Sequence, residues 1–356
     1  MVTRGLIPMS IIVAIAFTCV VSNVQCQKPL APALYVFGAS TVDAGNNKIL
    51  RNEEKDTSFP YGVDLQDPSL LARASNGLTY ADFIAEHLGL PLPPPVLSFK
   101  DAETRSKVLT GMNYASSASG VLNQTGLITG KCLSFSKQID LFETTVKEDL
   151  PKQIPTDLKL HLEESIILIS FAENDYVLGY FLNGTISPQL DLDSYTRLLI
   201  QSFSASIERM VDLGAKRFVV SGMPPIGCSS FFLEQNQGKC NETMNKIGVS
   251  YNSQLTAVLD QLKTNRAIYY TLINPEKLDI RIVAAEMGMK HVFEQCCETD
   301  RFGNCIKGLK PCDNRDEYLL FDKHHITQIY LKYIADGCFK GSGMCLPCNI
   351  VELCRK

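Results

Sequence analysis

The chain has 356 residues, of which 45% are hydrophobic and 20% are charged, and its formal net charge is −4. These proportions are ordinary for a globular protein. A slightly acidic chain without a basic block gives no electrostatic support for binding nucleic acid, so we expect no such partner.

The first 26 residues have the features of a secretory signal peptide. Arg4 is the only charged side chain among residues 1–10, and residues 11–21 are apolar except for Thr18. This run is shorter than the ~20 residues that a transmembrane helix needs, which disfavours the alternative of a membrane anchor. No later stretch is long enough to span a membrane. We therefore expect a secreted chain whose domain covers residues 27–356.

Eleven cysteines follow the predicted signal peptide. In a secreted chain they indicate disulfides rather than metal ligands, and their odd number predicts at least one free or intermolecular thiol. Cys345 and Cys348 have CxxC spacing, but no second pair with finger-like spacing accompanies them, so we predict no metal site. Three Asn-X-Thr sequences predict N-glycosylation, at Asn123, Asn183 and Asn241.

Segments typical of strands and helices alternate along the chain. Strands are predicted over residues 34–37, 165–171, 217–220 and 267–273. Helices are predicted over residues 79–88, 135–150, 193–213 and 241–262, with further helices after Pro275 and Thr327. This alternation favours one α/β domain with a parallel sheet and helices on both faces. A two-domain arrangement has no linker to support it.

The first strand runs directly into Gly38, Ala39 and Ser40. A serine at that position is expected at the carboxyl edge of the sheet, where ligands of open α/β folds bind. We therefore predict that Ser40 is a nucleophile, which needs a base, an orienting acid and donors for an oxyanion elsewhere in the chain.

The predicted base is His325, because Asp322 precedes it by three residues at the start of a helix. That spacing lets the carboxylate orient the imidazole, although Asp322 has helix capping as an alternative role. His324 is the competing base, but helical geometry turns it elsewhere. The other histidines are interpreted as surface or structurally satisfied residues: His87, His161 and His291.

Two candidates for oxyanion binding follow from position. Asn174 comes directly after the second strand, where its side-chain amide can donate a hydrogen bond. Gly120 ends a run of small residues and can offer its backbone amide. Their alternative roles are a turn residue and a flexible loop residue.

In this order and at these separations, Ser40, Gly120, Asn174 and His325 resemble the four blocks of the SGNH hydrolase superfamily. More closely, the chain resembles the plant-type GDSL esterase/lipase family. The matching stretches are 35–47, 113–120, 169–176 and 321–327, with 60–62, 75–77, 225–228 and 296–297.

The resemblance implies a single three-layer α/β/α domain with a flavodoxin-like parallel sheet. It also implies hydrolysis of a small-molecule or lipid ester without a metal or organic cofactor. Ser40 would attack the ester carbonyl, His325 would take its proton and Asp322 would orient His325. The backbone amides of Ser40 and Gly120 and the side chain of Asn174 would hold the oxyanion.

Four residues depart from the family pattern. Ala39 replaces an aspartate and Ala172 a glycine, while Phe321 and Ile326 replace tryptophan and proline. These departures predict that the esterase activity is impaired. The alternative function is that of a GDSL-like binding or complex-forming protein. Acyl transfer to an alcohol is a third possibility that needs the same residues.

Overall fold

The computed structural model describes residues 28–53, 59–67, 70, 72–171, 173–182, 189–274, 277 and 279–356. The predicted signal peptide, Ala172 and the sequon asparagine Asn183 lie outside the described residues. Across the described ranges, none of the helices combines the length and the apolar character needed to cross a bilayer.

The central sheet is parallel except at one edge. The strands are β1 (Leu34–Gly38), β2 (Ile166–Ser170), β3 (Arg217–Ser221), β4 (Tyr269–Ile273), β5 (His291–Gln295), β6 (Tyr318–Leu320) and β7 (Cys345–Leu346). Strands β1 to β4 lie side by side in parallel, and β7 pairs antiparallel with β4. On the other side of β1, residues 110–116 run parallel to it, and Val36 bridges Asn113. After β1 the chain adds residues 110–116 on one side of that strand and then adds β2 on its other side. This reversal of strand order is typical of flavodoxin-like folds.

Helices cover both faces of this sheet. They are α1 (Asn46–Arg51), α2 (Tyr80–Leu88), α3 (Ala102–Ser106), α4 (Phe135–Thr144), α5 (Leu158–Glu164), α6 (Leu192–Asp212), α7 (Ser230–Gln235), α8 (Glu242–Arg266), α9 (Ile280–Met287), α10 (Gln328–Lys340) and α11 (Ile350–Leu353). Because side chains alternate along a strand, Tyr35 and Phe37 pack with α4, α6 and α8, whereas Leu34 and Val36 pack with α2, α10 and α11. The predicted three-layer α/β/α arrangement is confirmed.

Predicted strands and helices agree with β1–β4 and with α2, α4, α6 and α8 to within a few residues. The sequence did not indicate the small second sheet, in which β5 pairs in parallel with β6. Strand β5 begins at His291, and β6 ends just before the segment that carries Asp322 and His325. This small sheet therefore places the acid–base segment.

Four disulfides confirm that most cysteines are paired. They are Cys228–Cys240, Cys296–Cys312, Cys297–Cys305 and Cys338–Cys345. Within the described chain the free cysteines are Cys132, Cys348 and Cys354, which agrees with the predicted unpaired thiol. Cys345 of the CxxC sequence is bonded to Cys338 rather than available as a metal ligand.

Candidate active site

Ser40 follows the carboxyl end of β1 and is half-buried. The backbone amide of Ala39 donates to the carbonyl of Ser170 at 3.1 Å, which keeps the loop aligned with the end of β2. Gly38 has φ 155°, and a Cβ there would lie 2.5 Å from the Ser170 carbonyl oxygen. Only glycine fits between the two strand ends, so the sequence Gly38–Ser40 presents the hydroxyl just beyond the sheet edge.

A buried network holds the end of β1. The side chain of Gln138, on α4, accepts from the Gly38 amide and donates to the Gly38 carbonyl, each at 3.0 Å. The Ser119 hydroxyl donates to the same carbonyl at 3.0 Å. Both side chains are fully buried. Gln138 was not among the predicted site residues, although a glutamine inside an otherwise apolar helix face is a signal for such a role.

The loop carrying Gly120 is tied to the end of β2 by Asn174 and Asp175. Asn174 Nδ2 donates to the Ser119 carbonyl at 3.0 Å. The buried Asp175 carboxylate accepts hydrogen bonds from three donors, namely the Val121 and Leu122 amides and the Thr125 hydroxyl. Burial raises the pKa of Asp175 to about 6, against the opposing effect of those donors.

Gly120 lies against this carboxylate. A Cβ at Gly120 would be 2.5 Å from Asp175 Oδ1 and from Thr125 Cγ2, so no larger residue fits. The connections from Gly38 through Ser119 to Asn174 place Ser40, Gly120 and Asn174 on neighbouring loops at one edge of the sheet. The structure therefore brings three of the predicted site residues into one region.

The predicted acid and base form a hydrogen-bonded pair. His325 Nδ1 donates to Asp322 Oδ2 at 2.7 Å, since an ionised carboxylate can only accept. Asp322 is fully buried, whereas the His325 side chain keeps 14% exposure. Backbone amides of His324 and His325 each donate to Asp322 Oδ1 at 2.7 Å. The carboxylate is thus fixed while the imidazole remains accessible.

The Asp322 carboxylate and the His325 imidazole each stabilise the charged form of the other. Burial by itself raises the pKa of Asp322, but the His325 charge and the hydrogen bonds outweigh it and hold that pKa below its usual value. Burial lowers the pKa of His325, but Asp322 and, to a smaller degree, Glu173 raise it overall. Glu173 directly precedes Asn174, so the imidazole lies close enough to the end of β2 to sense that charge. No hydrogen bond joins His325 to Ser40 within the described residues.

His324 is held away from the pair. Its ring Nε2 contacts the Phe302 carbonyl at 2.8 Å, and its ring stands nearly perpendicular to that of His325. Of the two adjacent histidines, only His325 has a ring nitrogen bonded to Asp322. This is the orientation that the spacing predicted.

A family model described as GDSL-like Lipase/Acylhydrolase matches residues 34–337. The chain belongs to the GDSL lipase/acylhydrolase family. This membership confirms the predicted fold family and the predicted class, a hydrolase of carboxylic esters.

Similar proteins extend over nearly the whole chain. GDSL esterase/lipase 7 of Arabidopsis thaliana is 34% identical over 344 residues, which cover 92% of this chain and 93% of the relative. GDSL esterase/lipase At5g08460 and GDSL esterase/lipase At1g71691, from the same plant, are each 32% identical over 91% of this chain. The alignments cover 88% and 86% of those two relatives.

Two of the positions that depart from the family pattern, Phe321 and Ile326, pack without breaking the acid–base segment. Phe321 is fully buried, and its amide donates to the His325 carbonyl at 2.8 Å, closing the turn. The carbonyl of Ile326 accepts from the Ser75 hydroxyl at 3.0 Å. Asp322 and His325 therefore meet despite phenylalanine and isoleucine at the unusual positions.

Tyr61 is a site residue that sequence reasoning did not identify. Its hydroxyl donates to Asp322 Oδ2 at 2.5 Å and accepts from the Cys305 amide at 3.0 Å. The two partners are 261 and 244 residues away in sequence. The only sequence signal was its place in the Pro60–Gly62 stretch that matches the family.

The described sequon residues remain predicted glycosylation sites. Asn123 is exposed, and its Oδ1 accepts from the Ser134 hydroxyl at 2.7 Å. Asn241 is half-buried and caps α8, with Oδ1 accepting from the Thr243 and Met244 amides. In both asparagines the side-chain oxygen accepts these hydrogen bonds, whereas a glycan would be attached to the side-chain nitrogen.

Proposed function

We propose that this protein is a secreted serine esterase that hydrolyses a small-molecule or lipid ester through an acyl-enzyme on Ser40. The observation that carries the proposal is the 2.7 Å hydrogen bond of His325 to the buried Asp322. The His325 imidazole also senses the charge of Glu173, which directly precedes Asn174 at the end of β2. Secretion is supported by the four disulfides, which are typical of proteins from oxidising compartments.

In the first step the Ser40 hydroxyl attacks the ester carbonyl while His325 Nε2 takes its proton. Asp322 stabilises the imidazolium that forms. The imidazolium then returns the proton to the departing alcohol, leaving an acyl group on Ser40. In the second step His325 removes a proton from water as the water oxygen attacks the acyl-enzyme. The acyl–Ser40 bond then breaks, the imidazolium returns the proton to Ser40 Oγ, and the acid is released.

Negative charge develops on the carbonyl oxygen in both steps. The backbone amides of Ser40 and Gly120 and the Asn174 side chain are the proposed donors to this oxyanion. The Asn174 amide nitrogen has two hydrogens and uses one on the Ser119 carbonyl, so the second remains as the proposed donor to the oxyanion. Asp175 holds the loop that follows Gly120 by accepting from the Val121 and Leu122 amides.

A fluorophosphonate probe, which phosphonylates activated serines, tests the proposal. Wild type and Ser98→Ala, a control at an exposed serine, are expected to be labelled and to hydrolyse a p-nitrophenyl ester. Ser40→Ala is expected to do neither. Equal labelling of wild type and Ser40→Ala, or labelling of none, would contradict the proposal and favour a GDSL-like binding protein, which Ala39 and Ala172 would then explain.

A second measurement separates hydrolysis from acyl transfer. Products are quantified with and without an added primary alcohol at several concentrations. Free acid as the main product under all conditions is expected for an esterase. Formation of a new ester at the expense of acid would instead identify an acyltransferase that uses the same residues.

A further inference from the structure

A loop closed by a disulfide lies over the acid–base segment. We define the bridged loop as residues 297–305, joined by the Cys297–Cys305 disulfide, and the acid–base turn as residues 322–325. The Lys323 amide donates to the Gly303 carbonyl at 3.1 Å, and the Phe302 carbonyl contacts His324 Nε2 at 2.8 Å. The bridged loop therefore contacts the turn at successive residues.

The ends of the bridged loop are connected to the turn as well. The Cys297 amide donates to the Phe321 carbonyl at 3.1 Å, directly before the turn. At the other end, the Cys305 amide donates to the Tyr61 hydroxyl at 3.0 Å, and that hydroxyl donates to Asp322. The disulfide holds these two ends together, so it constrains both connections at once.

Tyr61 stands between the loop and the pair. Its ring lies edge-on to Phe321 and His325, with centroids 5.7 Å and 6.5 Å away. Its hydroxyl and His325 Nδ1 donate to the same atom, Asp322 Oδ2. A displaced Tyr61 would therefore alter the hydrogen bonding of the very oxygen that orients the imidazole.

We propose that Tyr61 is a positioning residue for the Asp322–His325 pair and that the Cys297–Cys305 disulfide keeps it in place. The inference rests on the proposed esterase function and extends it, because it makes catalytic competence depend on the oxidised state of one particular bridge. The Tyr61 hydroxyl is bonded to Asp322 and to the Cys305 amide, so Tyr61 acts through Asp322.

The pH dependence of activity distinguishes this role from simple packing. Tyr61 withdraws charge from Asp322 through its hydrogen bond, so its loss leaves the carboxylate with more negative charge facing His325. That change raises the pKa of His325. Since the base must be neutral, the acid limb of the activity profile then moves to higher pH.

Other groups around His325 contribute to the same profile and have to stay constant. Glu173 faces the imidazole from the end of β2, and Asp300, on the bridged loop, acts on Tyr61. The His324 ring lies 6.1 Å from the His325 ring. A substitution of Tyr61 by phenylalanine removes one hydroxyl and leaves all of these groups in the chain.

The first test compares Tyr61→Phe with the control Tyr270→Phe. In the unsubstituted chain the Tyr270 hydroxyl also donates to a carboxylate, that of Asp260, at 2.7 Å. Tyr61→Phe is expected to lower kcat by about 10-fold, as for a lost hydrogen bond to a charged group, and to shift the acid limb of kcat/KM to higher pH. Tyr270→Phe is expected to leave both unchanged. A Tyr61→Phe profile identical to wild type would overturn the proposal.

The second test removes one disulfide at a time. The double variants Cys297→Ser/Cys305→Ser and Cys338→Ser/Cys345→Ser open loops of similar length, 8 and 7 residues in separation, so the lost loop-closure stabilisation is similar. Only the Cys297→Ser/Cys305→Ser variant is expected to reproduce the pH shift of Tyr61→Phe. Adding Tyr61→Phe to this double variant should produce no further shift. An equal pH profile in both double variants would contradict the coupling.

Failure of the inference is distinguishable from failure of the proposed function. If wild type is not labelled by the fluorophosphonate, the esterase proposal itself fails. If wild type is labelled and Tyr61→Phe keeps the wild-type profile, only the positioning role fails. Tyr61→Phe decides this even if the double cysteine variant does not fold, which a thermal unfolding curve would reveal.

Discussion

The nucleophile side of the site (residues 38–40, 119–120 and 174) and the acid–base side (residues 321–327) are held by different means. On the nucleophile side, parallel pairing of β1 with β2 and the buried side chains of Gln138 and Asp175 fix the loops. On the acid–base side, a two-stranded sheet and a disulfide-closed loop support a turn outside the central sheet.

This difference predicts different responses to substitution. Removing one partner from a buried polar network leaves an unsatisfied group and costs roughly 1–3 kcal/mol of stability. Changes on the nucleophile side should therefore affect folding together with activity. Changes at His325 itself should alter the pH dependence of activity more than stability, because its ring keeps 14% exposure and its turn lies outside the main core.

The largest expected effect is that of His325→Gln. Loss of the proposed base should lower kcat by roughly 10²–10⁴-fold, because within the described chain no other imidazole is bonded to Asp322. Initial rates of ester hydrolysis measure it. The matched control is His324→Gln, which should stay within about threefold of wild type; equal losses in the two variants would contradict the assignment of His325 as base.

Asn174→Ala should have the next largest effect. Loss of one oxyanion donor costs roughly 10²–10³-fold in kcat, with a smaller change in KM. The control is Asn252→Ala, which removes hydrogen bonds to the Met223 backbone after β3. The control should be less stable yet retain its kcat; if Asn174→Ala lost only stability, the oxyanion role would be wrong.

Asp175→Asn tests the buried network through pH. The pKa of Asp175 is raised from 3.8 to about 6, so the native state holds this proton more tightly than the unfolded state. Its contribution to stability is full below pH 4 and is lost as pH rises through about 6, amounting to about 3 kcal/mol. Asparagine does not titrate, so urea unfolding at pH 4 to 7 should show a weaker decline for the variant. Parallel curves would refute this account.

The smallest effect is expected for Ala39→Asp, which restores the residue usual in the family. A single added hydrogen bond in the nucleophile loop should raise turnover by about 2- to 10-fold. Ala39→Asn is the control, because asparagine is similar in size to aspartate but uncharged. It tests whether the gain in turnover requires a carboxylate. Unchanged turnover in Ala39→Asp would show that this position does not limit activity.

Much of the nucleophile side could be predicted from local sequence. An apolar run ending in glycine and serine predicts β1 and Ser40, and a second run predicts β2 and Asn174, because the ends of parallel strands meet at one sheet edge. The Asp322–His325 pair was also predictable, since three residues separate its members and one turn brings them together.

The remaining contacts depend on how distant segments meet. Strand β5 was missed because its five residues carry no clear alternation of apolar and polar types, and its partner β6 lies beyond the bridged loop. The disulfide pairing could not be read from eleven cysteines, because many connectivities satisfy the same spacing. Gln138 and Gly38 are 100 residues apart, and only the packing of α4 on the sheet brings them together.

By itself, the sequence determined which groups are available for chemistry and the local turns that present Ser40, Asn174 and His325. These depend on interactions between residues close in the chain, which composition and spacing express directly. Only the tertiary structure decided what supports them, such as Tyr61 on Asp322 across 261 residues. The physical reason is that such a contact depends on the path of the whole intervening chain, which no local pattern specifies.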